Sequence, residues 1–199
     1  MRRIFVLLCG GALLLGAGCG ERAAVAPEVE PGTHVDRGAT VQARRIEAAL
    51  HARINALRAD FQLAPLSWNE SLLPIARRHS ADMAQRDYFD HRNPDGLGPI
   101  ERYSAGGFQC RVPITSTRFA TGGENIAQSH VHIGYRVLPG GRREPYGARS
   151  ATEIAERIAT GWMNSPSHRD NLLRAYWRTE AIGVFVDSQG RVFATQNFC

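Results

Sequence analysis

The chain has 199 residues, of which 43% are hydrophobic and 22% are charged, a composition typical of a globular protein. This length suits one domain with a targeting segment and is marginal for two domains. The formal net charge is +5, and two of those charges come from Arg2 and Arg3. Such a mild excess excludes a strongly basic nucleic-acid-binding protein, so we expect no nucleic-acid partner.

The first residues have the organisation of an export signal. Residues 1–3 carry two arginines, and the apolar run over residues 4–18 is short for a helix that spans a bilayer, which needs about 20 residues. Polar residues follow the run at once. The pattern therefore predicts a removable signal peptide over residues 1–18 rather than a transmembrane anchor.

The end of the apolar run resembles a bacterial lipoprotein cleavage site, in which Cys19 would be the lipidated residue. Gly16 stands where such signals usually have leucine, and plain secretion is the alternative. Several acyl chains on Cys19 would hold the protein to a membrane, since each buried methylene contributes about 0.8 kcal/mol. Gly20 is not the aspartate that favours inner-membrane retention, so we expect an extracytoplasmic lipoprotein at the outer membrane or cell surface.

The cysteines agree with export. Of the four, Cys9 would leave with the signal and Cys19 would be lipidated, which leaves Cys110 and Cys199. Two cysteines in an oxidising compartment are more often paired than free, so we predict a disulfide between them.

A tether and two helices are predicted next. Residues 19–40 are polar and contain two prolines, which indicates a flexible tether ahead of a domain over residues 41–199. Residues 41–61 have the spacing of an amphipathic helix with its arginines, Arg58 included, mostly outside the apolar face. That apolar face consists of Ile46, Leu50, Ile54, Leu57 and Phe61.

A second helix is predicted to begin at Asn69, a favourable N-cap, and to end near Asp87. Its buried stripe would consist of Leu72, Ile75, Ala76, His79, Met83 and Ala84. The segment over residues 93–96, Asn-Pro-Asp-Gly, predicts a turn.

The middle of the chain gives weaker signals. Residues 124–129 predict a short ordered segment, helix or strand. Residues 138–149 predict an exposed loop whose Arg142, Arg143 and Arg149 are solvated, with contact to anionic lipid as the alternative. Ser150 and Glu153 form a capping box that predicts a further helix, with Ile154, Ile158 and Trp162 on one face. Ser165 is predicted to cap a short helix that follows.

Two β-rich runs, over residues 182–186 and 191–198, flank a polar four-residue turn and predict a C-terminal antiparallel hairpin. Several helices followed by a hairpin indicate a layered α+β domain.

Five segments, in order, resemble the CAP superfamily, which comprises cysteine-rich secretory, antigen 5 and pathogenesis-related proteins. They are Tyr-Phe-Asp-His at residues 88–91, Gly-Glu-Asn-Ile-Ala at 123–127, the stretch over 161–173, Ile-Gly-Val at 182–184 and Thr-Gln-Asn-Phe at 195–198. The resemblance is to the bacterial branch and covers about residues 44–198. It implies a three-layer α-β-α sandwich with a central cleft and a C-terminal antiparallel hairpin.

The resemblance also implies site residues. His91, Glu124 and His168 match two histidines and one glutamate that gather in the family's cleft, in some members around a divalent metal. The second glutamate position falls on Ser165, so the full tetrad is incomplete. Two imidazoles, one carboxylate and an open position can hold Zn²⁺, and we therefore name His91, Glu124 and His168 as candidate ligands of zinc or another divalent metal.

Three functions are compatible with the sequence. The first is a non-enzymatic module that binds a small apolar ligand, such as a lipid, or a cell-envelope component in the cleft. The second is a metal-dependent hydrolase of peptide or cell-wall material, with Glu124 as ligand or general base. The third is a structural domain with a vestigial cleft. Serine hydrolysis by Ser165 and His168 is disfavoured, because no Gly-x-Ser-x-Gly turn surrounds Ser165.

Overall fold

The computed structural model describes residues 37–199, which belong to one compact unit that spans Val35–Cys199. The predicted signal peptide, Cys19 and nearly all of the predicted tether lie outside the described residues. No helix among residues 37–199 combines the length and hydrophobicity needed to cross a membrane. The elements are α1 (Arg37–Asp60), β1 (Ser67–Trp68), α2 (Leu73–Gln85), α3 (Pro99–Ala105), β2 (Val112–Pro113), β3 (Phe119–Ala120), β4 (Gly123–His130), β5 (His132–Val137), β6 (Arg143–Ala148), α4 (Ala151–Asn164), α5 (Pro166–Leu173), β7 (Thr179–Val186) and β8 (Arg191–Phe198).

A four-stranded sheet of order β1-β7-β8-β4 lies between two helical layers. β1 runs parallel to β7 and the other pairs are antiparallel, so β7 and β8 form the predicted C-terminal hairpin. Alternation along β8 directs Phe193 to a cluster with Met83 of α2, while Ala194 joins the larger cluster with Ile54 of α1 and Ile158 of α4. The α+β three-layer sandwich predicted for the domain is confirmed.

Helix α1 differs from its prediction at both ends. It begins at Arg37, within the predicted tether, and ends at Asp60, so Phe61 lies outside it and is exposed. The prediction that Arg58 lies outside is wrong, because its side chain is buried and donates to the carbonyls of Ala64 and Leu172. Burial lowers the pKa of Arg58. The remaining apolar positions of the predicted face are buried as expected.

Helix α2 carries the predicted buried stripe, including His79. The carboxamide oxygen of Asn69 accepts from the backbone N–H groups of Ser71 and Leu72, so Asn69 caps the turn that precedes the helix rather than the helix itself. The predicted turn at residues 93–96 is present, and Gly96 takes a positive φ there.

The loop predicted over residues 138–149 is only partly correct. Half of this segment is strand β6, which pairs antiparallel with β5 in a separate two-stranded sheet. The predicted ordered segment at 124–129 is part of strand β4.

Helix α4 begins as predicted, since the side chains of Ser150 and Glu153 cap each other's backbone N–H groups. Ser165 occupies the N-cap position of α5 with extended backbone, but its hydroxyl makes no cap hydrogen bond. The predicted disulfide between Cys110 and Cys199 is confirmed, and it fastens the C-terminus to the segment after α3.

Candidate functional site

Glu124 is the centre of the predicted cleft and is buried at the start of the edge strand β4. Its Oε2 atom pairs with the guanidinium of Arg102, which reaches it from α3 and is itself almost fully buried. The same guanidinium donates to the carbonyls of His91 and Leu97. Arg102 therefore neutralises the buried carboxylate and fixes the loop that carries His91.

His91 follows α2 in the loop that leads to α3. Its Nδ1 atom lies 2.9 Å from Oε1 of Glu124, so the carboxylate orients the ring. The side chain of His91 retains 45% of its exposure, which leaves the rest of the ring open to a ligand. The preceding residue, Asp90, accepts from the N–H of Arg92 and shapes this loop.

His168 lies in the first turn of α5, with its ring centroid 6.1 Å from that of His91. Partial burial lowers the pKa of His168, and the neighbouring His91 lowers it further. Ser165 precedes His168 by one helical turn, and both residues line a cavity between β4 and α4 that is described below. The structure thus places all four sequence-predicted cleft residues at one edge of the sheet.

A buried amide network holds α5 against β4. The Nδ2 group of Asn125 donates to the carbonyl of His168 and to Oε1 of Gln196. Asn171 donates to Oδ1 of Asn125 and to the carbonyl of Glu124. This network sets the position of His168 relative to Glu124, a role for Asn125 that its sequence context did not indicate.

Two residues of the site were missed from the sequence. Arg102 is one of 24 basic residues, all arginine, and its spacing gives no sign of the partner 22 positions away. His79 was assigned to the core, and its Nε2 atom lies 3.9 Å from Oε1 of Glu124. Burial lowers the pKa of His79, and the charge of Glu124 partly offsets that effect. A histidine within an otherwise apolar stripe was the available signal.

The donor set does not favour the three-ligand metal centre that the resemblance implies. Glu124 already engages Arg102 through one oxygen and His91 through the other, so it would have to release both to bind an ion. His91 and His168 alone supply fewer protein ligands than zinc sites use. Residues 37–199 contain no group of three or more His, Cys, Asp and Glu side chains placed to hold a metal ion. Metal binding therefore stays a hypothesis that the resemblance alone supports.

A cavity of about 320 Å³ lies between β4 and α4, beside His168. Its apolar wall contains Ile126, Ala127, Ile158 and Trp162, and its polar rim contains Gln128, Ser129, Arg157, Ser165 and His168. The indole N–H of Trp162 donates to the carbonyl of Ile126, which fixes the wall. This volume lies at the lower end of the range for small-molecule sites, about 300–1,000 Å³.

An α-β-α sandwich with two histidines and a buried glutamate at its edge strand defines a CAP-type domain. The model of the cysteine-rich secretory protein family, CAP, matches residues 51–198. Because this match covers most of the chain, the protein belongs to that family.

Two Bacillus subtilis proteins are similar in sequence. The uncharacterized protein YkwD is 28% identical over 174 residues, which are 87% of this chain and 55% of YkwD. The uncharacterized membrane protein YlbC is 28% identical over 144 residues, which are 72% of this chain and 31% of YlbC. The chain therefore spans about half the length of one relative and a third of the other.

Two solved structures share the fold. An extracellular protein of Bacillus anthracis that contains an SCP domain superposes with a TM-score of 0.57 and 25% identity, over 84% of this chain and 44% of that one. An outer surface protein of Borrelia burgdorferi gives a TM-score of 0.56 at 16% identity, over 78% of this chain and 92% of that one.

Proposed function

We propose that this CAP-domain protein works outside the cytoplasm, anchored by a lipid on Cys19, and binds a small apolar ligand or envelope component in its cleft. Export is supported by the signal-peptide pattern of residues 1–18 and by the Cys110–Cys199 disulfide, since disulfides persist mainly in oxidising compartments. It is further supported by the similar proteins of Bacillus anthracis and Borrelia burgdorferi, which are described as extracellular and as an outer surface protein.

The observation that carries the ligand proposal is the cavity beside His168. Its wall is apolar and fixed by Trp162, and its rim supplies the imidazole of His168 and the guanidinium of Arg157. Arg157 has no ion-pair or hydrogen-bond partner among residues 37–199. A molecule with an apolar body and one acidic group fits this arrangement, because each part meets a complementary surface.

Gly161 allows a direct test. It lines the cavity from α4, and a Cβ added there meets no atom within 4 Å. Because this space is open, we expect Gly161→Leu to occupy part of the cavity with the fold retained, and Gly161→Ala is the matched control. With anilinonaphthalene sulfonate as the probe, we expect saturable fluorescence for residues 35–199, weakened by Gly161→Leu by about tenfold or more, equivalent to roughly 1.4 kcal/mol.

The outcomes of this titration are distinct. Retained binding in Gly161→Ala and weakened binding in Arg157→Gln would support a cavity that takes an apolar anion. Equal binding by wild type and Gly161→Leu would contradict the proposal. Envelope lipid extract can then be passed over wild-type protein and Gly161→Leu, and lipids retained only by wild type can be identified by mass spectrometry.

The anchor is tested by Cys19→Ser in the full chain expressed in a bacterial host. We expect the wild-type protein in the membrane fraction after a high-salt wash, because salt does not release acyl chains. We expect Cys19→Ser in the soluble extracytoplasmic fraction. Membrane retention of Cys19→Ser through the salt wash would contradict lipidation at this residue.

A further inference from the structure

The two-stranded sheet of β5 and β6, with residues 138–142 at its tip, is called the basic hairpin below. It pairs with no other sheet in the described part of the chain, and every residue of β6 is exposed. Its base is nevertheless fixed, because the guanidinium of Arg149 donates to the carbonyls of His130, His132 and Ile133. The basic hairpin is therefore fixed at its base, and most of its residues are exposed to solvent.

One face of the basic hairpin is apolar. Alternation along β5 places Ile133, Tyr135 and Val137 on this face, and the register adds Pro145 opposite Tyr135 and Arg143 opposite Val137. Ile133 is 51% exposed, Tyr135 39% and Val137 70%. Isolated exposed apolar residues are ordinary, but a row of three on an uncovered strand marks an interaction surface.

The charge of the hairpin is strongly positive. Residues 131–149 contain four arginines and one acid, Glu144, which pairs loosely with Arg136 on the opposite face. Arg143 stacks over the ring of Tyr135 at 4.9 Å, and neither it nor Arg142 has a carboxylate partner among residues 37–199. The apolar row thus ends in two uncompensated guanidinium groups at the tip.

The direction of α1 shows which end of the domain carries this arm. Glu47 of α1 accepts from the N–H of Val184, and His51, one turn later, contacts Glu180, four residues earlier in β7. Helix α1 therefore runs antiparallel to β7. Its first residue, Arg37, lies at the end of the domain where β7 finishes.

The basic hairpin leaves the sheet at that same end. The turn after β7 contains Gly190, whose carbonyl accepts from the N–H of Val131 at the base of the hairpin. Glu124 lies at the other end of β4. Arg37, the first described residue, therefore lies at the end of the domain that carries the hairpin, away from Glu124.

We propose that the apolar face of the basic hairpin rests on a lipid bilayer that contains anionic headgroups. Ile133 and Val137 enter the interfacial region, Tyr135 lies at headgroup level, and Arg142 and Arg143 bind lipid phosphates. The base of this face, at Ile133 and Tyr135, borders a groove shared with Arg157 and the end of β4, whereas Val137 near the tip is the most open of the three. Glu124 then lies at the end of β4 that is far from the membrane. This inference depends neither on the cleft ligand nor on lipidation of Cys19.

The test uses residues 35–199, which lack Cys19, and vesicles of phosphatidylcholine with and without phosphatidylglycerol. We expect cosedimentation only with the anionic vesicles. Each arginine near an anionic surface contributes about fivefold in affinity, so Arg142→Gln with Arg143→Gln should weaken binding by roughly 25-fold. The matched control is Arg118→Gln with Arg169→Gln, which removes the same charge from exposed positions outside the hairpin.

A second readout reports depth. Val137→Trp places an indole on the most exposed apolar position, and we expect its emission to shift to the blue with anionic vesicles only. Val137→Asp should abolish binding. Absence of binding by wild type, equal losses in the two arginine pairs, or no effect of Val137→Asp would overturn the proposal. If wild type bound a soluble polyanion such as polyglutamate as strongly as the anionic vesicles, and Val137→Asp left that binding unchanged, the hairpin would be a site for an acidic polymer instead.

Discussion

The ion pair between Arg102 and Glu124 decides what the cleft can do chemically. A buried carboxylate without a partner is costly, and here the guanidinium of α3 removes that cost while it also binds the carbonyl of His91. The carboxylate is therefore available mainly to orient His91. In this arrangement the two imidazoles, rather than Glu124, face an incoming ligand.

Removing the arginine should reveal its contribution. We expect Arg102→Met to lower the free energy of unfolding by about 3–5 kcal/mol, because Glu124 would be left buried and uncompensated. Urea denaturation at neutral pH measures the change. In the background of Glu124→Gln the same substitution should cost much less, since no charge is stranded. Equal costs in the two backgrounds would show that the ion pair is not the cause.

The second prediction at this scale is that the site does not bind zinc. Because both oxygens of Glu124 are engaged, we expect no saturable one-to-one binding when residues 35–199 are titrated with micromolar zinc in a calorimeter. A stoichiometric isotherm that His91→Ala and His168→Ala both abolish would contradict this expectation. It would also raise the standing of the hydrolase hypothesis.

These residues show what the sequence could and could not predict about the site. His91, Glu124 and His168 are separated by 33 and 44 positions, and only the family resemblance indicated that they meet. Arg102 and His79 could not be assigned to the cleft, because a lone arginine or histidine reports nothing about a partner brought to it by folding. The identity of Glu124's partners is a property of the tertiary structure.

At the scale of the elements, the sequence predicted those helices whose signals depend only on residues close together in the chain. The capping box at Ser150 and the apolar spacing of α1 and α4 need only neighbours along the chain, and both are present. The basic hairpin was missed, since the glycines and two prolines at residues 138–149 have low strand propensity and the pairing with β5 is what orders this segment. Arg58 was misplaced because two of its three acceptors, the carbonyls of Leu172 and Arg174, are 114 and 116 residues away.

Packing between α2 and β7 yields a prediction about glycine. A Cβ at Gly183 would lie 2.1 Å from the backbone nitrogen of Arg77 and 2.3 Å from the carbonyl carbon of Ala76. Neither backbone atom can move without shifting α2, so we expect Gly183→Ala to destabilise the domain by about 2 kcal/mol or more. Thermal and urea unfolding measure the loss.

The matched control is again a glycine in a regular element. Gly161 lies in α4 with open space around its Cβ position, so Gly161→Ala should stabilise the domain by about 0.5–1 kcal/mol through helix propensity. A mild effect of Gly183→Ala, similar in size to that of Gly161→Ala, would show that α2 and β7 are not in such close contact.

At the scale of the whole molecule, the order of the strands in the sheet could not be predicted from the sequence alone. β4 pairs with β8, and Glu124 lies opposite Asn197, 73 positions later. The antiparallel β7–β8 hairpin was predictable because one short turn joins its strands. The parallel contact of β1 with β7 and the edge position of β4 were not predicted, and the edge position of β4 is what places Glu124 beside His91 and His168.

The disulfide also joins two segments that are distant in the sequence. It joins residues 89 positions apart, and the chain-entropy model gives roughly 4–5 kcal/mol for a loop of that length, less any strain in the native state. The last strand does not depend on it for alignment, because the backbone of Cys199 already bonds to Thr179 and Arg178. We therefore expect the double variant Cys110→Ser with Cys199→Ser to fold with the native circular dichroism spectrum and to lose about 2–5 kcal/mol in urea.

Thiol titration provides the internal control, since residues 35–199 contain only these two cysteines. Denatured wild-type protein should show no free thiol before reduction and two afterwards. Reductant should lower the urea midpoint of wild type to that of the double variant and leave the double variant unchanged. If the reduced protein kept the wild-type midpoint, the constraint would lie elsewhere in the fold.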